Sequence, residues 1–147
     1  MKLLHVNEAP TTEPLTHPID VWNSMKEIGS ADQESFWVIG INRANKEVFR
    51  ELIFLGGYTK ILIDTRILFK RLLINGCNDF FLVHNHPSGD CLPSDNDIDL
   101  THYIQKIGFF LNINLIDHII ITHDSFCSLK ELEKMLENNE KNSCETI

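Results

Sequence analysis

Apolar positions along this chain recur at two different periods, and the switches between them mark out its elements. Val21, Trp22, Met25 and Ile28 stand at helical spacing behind Pro18, a residue suited to a first turn, which predicts a short helix over 18–29. Residues 35–42 are aromatic and β-branched, Asn42-Arg43-Ala44-Asn45 is turn chemistry, and 46–55 reads as the antiparallel partner strand, ended by Gly56-Gly57. Asp64 is placed to cap a helix running to about residue 75, with Gly76 just beyond its end. Residues 80–83 are apolar throughout, as in a strand buried on both faces. After Ser94 a second helix is predicted, with Leu100, Ile104, Ile107 and Leu111 on one face. Residues 113–122 form a further strand, and a closing helix runs over 129–136.

Strands alternating with helices predict a mixed α/β (α+β) domain with a central sheet and helices packed against it. Residues 18–137 form that single domain. The Pro- and Thr-rich stretch 1–17 reads as a flexible arm and the acidic, Asn-rich stretch 138–147 as a disordered tail. No internal repeat is present.

Composition narrows the partners. Of 147 residues, 43% are hydrophobic and 23% charged, which is ordinary for a globular chain that fits one domain. Asp and Glu number 21 against 13 Lys and Arg, a net charge of −8 that repels nucleic-acid phosphates, although Lys60, Arg66, Lys70 and Arg71 could form a local basic patch. Direct nucleic-acid binding is therefore expected to be weak. No apolar run approaches the roughly 20 residues of a membrane span, and residues 1–10 do not have the layout of a signal peptide. Cys77, Cys91, Cys127 and Cys144 lack any Cys-x-x-Cys pair and are read as reduced thiols of a cytoplasmic protein.

The candidate chemistry lies in one loop. His84 and His86 stand two apart at the end of an apolar strand, so alternation puts both imidazoles on one side. Pro87, Gly89 and Pro93 stiffen the connection to Asp97, which follows eleven residues after His86 in the first turn of the next helix. Two imidazoles and a carboxylate make a three-ligand set that leaves the fourth tetrahedral position to water, as in catalytic zinc sites. Each residue alone has a plainer role: a hydrogen-bonded histidine, or Ser94 and Asp97 as a capping box. Their conjunction points to metal-assisted hydrolysis, which also needs a carboxylate to move protons. Glu34, Glu47 and Glu51 are the upstream candidates; Glu51, on a strand shortly before the two glycines, can enter the sheet interior, although a solvated strand carboxylate is its plainer role. Ser94 is placed to donate to an oxyanion.

His-x-His-Pro, six residues, then Ser-x-x-Asp resembles the JAMM (MPN+) motif of JAB-domain metallopeptidases. The longer string His84-Asn85-His86-Pro87-Ser88-Gly89-Asp90 with Pro93-Ser94 resembles the RadC branch, as do Asp64-x-Arg66 with Phe69-Lys70 and the stretch 115–120. The resemblance covers about residues 35–131. It implies a curved JAB-type sheet flanked by helices, Zn2+ held by His84, His86 and Asp97, Ser94 at the oxyanion, and a catalytic glutamate ahead of Gly56 that falls on Glu51. Two departures accompany it. RadC-like chains carry an N-terminal helical segment where this chain has a short arm, and a small hydroxyl residue usually stands at Ile61.

The reading is thus a zinc-dependent peptidase or isopeptidase with a protein or peptide substrate. A non-catalytic interaction module of DNA repair or mobile-element biology, built on the same fold, is the alternative. A nucleobase deaminase needs His-x-Glu and Pro-Cys-x-x-Cys, which are both missing. A Cys91 able to reach the open metal position, and His118 as a packing residue near the site, complete the expectations.

Overall fold

The computed structural model describes residues 13–56 and 63–144. Its centre is a five-stranded sheet in the order β2-β1-β3-β4-β5. The strands are β1 (Ser35–Ile41), β2 (Glu47–Leu55), β3 (Asp79–Asn85), β4 (Asn114–Ile121) and β5 (Phe126–Ser128). All pairings are antiparallel except β3–β4, which run parallel. The helices are α1 (Pro18–Met25), α2 (Thr65–Ile74), α3 (Asp95–Leu111) and α4 (Leu129–Cys144), and α3 is the crossover that a parallel pair requires.

Each strand serves two cores because the central sheet is covered on both faces. Trp37, Ile39, Phe81, Val83, Ile119 and Ile121 pack with Val21, Met25 and Ile28 on the α1 side. Phe36, Val38, Phe80 and Leu82 pack on the other side with Leu68, Phe69 and Leu72 of α2 and Ile104 of α3. That double coverage is why β1 is buried at all seven positions and shows no polar alternation.

Local chemistry sets most boundaries where the sequence puts them. The Asp64 side chain accepts from the Arg66 amide at the start of α2, and Gly76, at φ +64°, closes its end. Asn112 ends α3 in the left-handed region, where Gly108 must lack a side chain because a Cβ there would lie 2.3 Å from the Ile113 carbonyl.

Four expectations change. The first helix stops at Met25 and tightens into a 3-10 turn over Lys26–Ser30. The arm is not loose throughout: Leu15 is buried and its amide donates to the Asn45 carbonyl. The last helix runs on to Cys144, through the stretch expected to be disordered. Asp117 and Ser128 cap its start, accepting from the Lys130 and Glu131 amides, and Glu137 stands four residues before Lys141 in the favourable orientation. Finally, Cys91 and Cys127 are joined in a disulfide, leaving Cys77 and Cys144 as thiols, so the reading of four reduced cysteines is corrected. Burial pushes the Cys77 thiol up to about 11.

Candidate metal centre

His84 closes β3 on the α2–α3 face of the sheet, fully buried, with Phe36 of β1 stacked on its ring at a centroid distance of 5.3 Å. His86 follows one step beyond the strand, and Asp97 stands in the first turn of α3, buried to 3% exposure. The capping box predicted from Ser94 and Asp97 is present. Ser94 Oγ accepts from the Asp97 amide at 3.1 Å, and the Ser94 amide donates to Asp97 Oδ2 at 2.9 Å. The plainer role and the ligand role thus fall on the same carboxylate.

The three side chains converge. His84 Nε2 lies 2.9 Å from His86 Nε2 and 3.4 Å from Asp97 Oδ1, and His86 Nε2 lies 3.2 Å from Asp97 Oδ2. Tetrahedral ligands about 2.0–2.1 Å from an ion stand roughly 3.3–3.4 Å apart, so the triangle has the size of a metal's ligand face. Glu34, just ahead of β1, brings Oε1 to 3.6 Å from His84 Nε2, and the four ligand atoms all lie within 4.8 Å of one another.

The donor chemistry explains what this cluster lacks. His86 Nδ1 donates to the Asp90 carbonyl at 2.8 Å, which leaves Nε2 as a lone pair in the neutral ring. Two carboxylates and this imidazole therefore crowd one point with acceptors and too few protons to share, an arrangement a cation satisfies. Burial works to raise the Asp97 pKa, but the facing His84 and His86 rings and the Ser94 amide outweigh it and hold the carboxyl below the ordinary range. For His86 burial works downward, but the nearby Asp97 carboxylate and the Asp90 carbonyl favour a charged ring and carry its pKa above the usual value. Both shifts say that the point between them favours positive charge.

Of the three upstream glutamates, it is Glu34 rather than Glu51 that the fold brings to the histidines. In the sheet, His84 stands opposite Phe36, and Phe36 opposite Phe54, whereas Glu51 pairs with Val38, further along β2. Glu51 instead meets Arg71 of α2, its Oε2 3.3 Å from Nε. Glu47 is taken up by Arg50 in a buried two-pronged pair, with bonds of 2.7 and 2.6 Å. A bulge that skips Val48 is what lets Glu47 and Arg50, three apart, share a face.

Glu34 is held by residues that sequence reasoning passed over. Asn85, between the two histidines, turns to the opposite face, where its Oδ1 accepts from the Ser35 amide at 2.7 Å and its Nδ2 donates to the Gln33 carbonyl at 3.0 Å. The Gly56 amide donates to the Glu34 carbonyl at 2.7 Å. One side chain of β3 thereby fixes the backbone on both sides of Glu34. An acid directly before a strand that pairs with the histidine strand was the available signal.

His118 of β4, expected as a packing residue near the site, lies against it, its Nε2 2.6 Å from His84 Nδ1. Burial drives its pKa well below the ordinary histidine value, with the neighbouring His84 adding to the effect. Cys91 is held by Cys127 and so is directed away from the open-position role considered for it. Of the basic patch, Arg66 pairs with Asp64 and Arg71 with Glu51, while Lys60, with Tyr58, Thr59 and Ile61, lies outside the described residues.

Residues 15–135 match the family model described as RadC-like JAB domain. The chain is 36% identical over 105 residues to the UPF0758 protein of Finegoldia magna, covering 71% of this chain and 47% of that protein. Against the UPF0758 protein of Flavobacterium johnsoniae the identity is 36% over 115 residues, 78% of this chain and 50% of the relative. With that of Staphylococcus epidermidis it is 37% over 118 residues, 80% and 52%. The chain spans about half the length of the curated relatives it matches.

Proposed function

Because this chain belongs to the RadC-like JAB domain family, we propose that it is a zinc-dependent hydrolase of amide bonds, a peptidase or isopeptidase whose substrate is a protein or peptide. The observation that carries this reading is the convergence of His84, His86 and Asp97 on one point with Glu34 beside it. Nitrogen and oxygen donors in this number suit zinc, held by the two Nε2 atoms and the Asp97 carboxylate. Bound there, the ion supplies a Lewis acid and a water that deprotonates near neutral pH.

The chain's own groups account for the rest. Glu34 Oε1 takes a proton from the attacking water and returns it to the leaving nitrogen. Burial raises the Glu34 pKa while His84 and His86 pull it back, the direction that suits a carboxyl which must both accept and release. Ser94 caps α3 with a lone pair, so its proton is free to meet the oxyanion. Asn85 keeps Glu34 at its station through the backbone on either side.

The test is a Glu34→Gln variant beside Glu51→Gln, with metal content and cleavage of a peptide library both measured. Zinc is retained in both, and turnover falls by roughly 10²–10⁴-fold in Glu34→Gln alone, the range for loss of a positioned acid–base group. Cleavage that survives Glu34→Gln, or that persists in chelator, removes the reading. A zinc-loaded chain that cleaves nothing returns the fold to the role of an interaction module.

A further inference from the structure

Behind His84 runs a line of hydrogen bonds whose direction is set at its far end. The Asp97 carbonyl has no proton to give, so the Thr101 hydroxyl, one turn along α3, donates to it at 2.6 Å. That spends the only proton of Thr101, and its oxygen must therefore accept from Nδ1 of His118, also at 2.6 Å. His118 is 1% exposed, and its ring nitrogens meet a hydroxyl and another imidazole with no carboxylate in contact, so it is held as the uncharged ring. With its proton on Nδ1, its Nε2 is an acceptor and takes the Nδ1 proton of His84 at 2.6 Å. In the neutral His84 ring this leaves the lone pair on Nε2, the atom that faces His86, Asp97 and Glu34.

We infer that Thr101 and His118 are positioning residues of the metal centre, holding His84 in the Nδ1–H form so that its Nε2 lone pair is aimed at the ion. The relay starts from the backbone of Asp97 and ends on His84, so it also ties two of the three ligands to each other through β4. Phe36 keeps the two rings in register, stacked on His84 and edge-on to His118 at 5.2 Å. A buried neutral histidine of any role takes one donor and one acceptor; what marks His118 is that its acceptor nitrogen meets a ring whose other nitrogen faces the Glu34, His86 and Asp97 cluster. Thr101 is suited to the far end because threonine in a helix can return its hydroxyl proton to the carbonyl four residues back.

This inference rests on the metal reading above, and its test separates the two. Long-range proton–nitrogen NMR of the full chain, without metal and with zinc, reports which nitrogen of each imidazole is protonated. His84 and His118 are expected to carry their proton on Nδ1 in both states. An apo chain with His84 protonated on Nε2 overturns the relay, even if zinc binds well. A chain that takes up no zinc sinks the hydrolase reading, while its tautomers still decide the relay. Thr101→Val, which keeps the shape and removes the hydroxyl, should weaken zinc binding about 10–100-fold in competition with a chromophoric chelator. It should also alter the visible spectrum of the cobalt-substituted chain. Thr101→Ser keeps the hydroxyl and should restore both. Equal affinities and identical spectra in the Val and Ser variants refute the assignment.

Discussion

Ser94 performs two tasks with one oxygen, and the two can be pulled apart by substitution. Its lone pair receives the Asp97 amide and holds the first turn of α3, whereas its proton is the part proposed to meet the substrate. Glycine is tolerated at a helix N-cap at a cost of a few tenths of a kcal/mol, and alanine costs about 1 kcal/mol. Ser94→Gly is therefore expected to melt close to the wild type and Ser94→Ala lower, while both lose catalysis by about 10²-fold. Activity that tracks melting temperature across the two variants assigns Ser94 to capping alone. The same distinction explains what could be read from the chain beforehand. His84, His86 and Asp97 are local partners, brought together by one strand end, one stiff loop and one helix start, and sequence spacing carries that information. Glu34 is brought to them by strand pairing across 50 positions of chain, and no local pattern distinguishes it from Glu51.

At the level of elements, periodicity and capping chemistry identified four of the five strands and all four helices. Three-residue β5 is too short to show a period, and its pairing with β4 supplies what its sequence does not. The end of α4 resembles a tail in sequence because its residues are polar and exposed. Its helicity comes from caps at one end and charge spacing along its length, both weaker signals than an apolar stripe. The Cys91–Cys127 bond ties the ligand loop to β5 across a sequence separation of 36, a contact invisible to spacing rules. Closing a loop of that length in the unfolded chain is worth roughly 3–4 kcal/mol by the chain-entropy model. The chain unfolded without reductant should then expose two titratable thiols, four after reduction, and reduction should lower its melting temperature. Four thiols in the untreated chain would remove the bond from this account.

For the molecule as a whole, the metal is a ligand of the folded state only, since His84, His86 and Asp97 meet nowhere in an extended chain. Zinc at 100 times its dissociation constant should add about 2.7 kcal/mol to stability. In a domain of this size that is a rise of roughly 8 °C in Tm, abolished by chelator. A Tm indifferent to zinc and chelator alike would count against the centre. The net charge of −8 adds that association with DNA should be weak and lost at modest salt. No helix among the described residues is long and apolar enough to cross a membrane.

The parallel pairing of β3 with β4 has one further outcome, for the order in which the molecule is made. Two strands running the same way cannot zip from a hairpin; the chain must travel out through α3 and return before they touch. The histidine strand thus leaves the ribosome well ahead of the strand that supports it, 34 positions later at His118. Until that return is complete a nascent chain owns the ligands but lacks the neighbouring strand and the His118 contact that hold His84 among them.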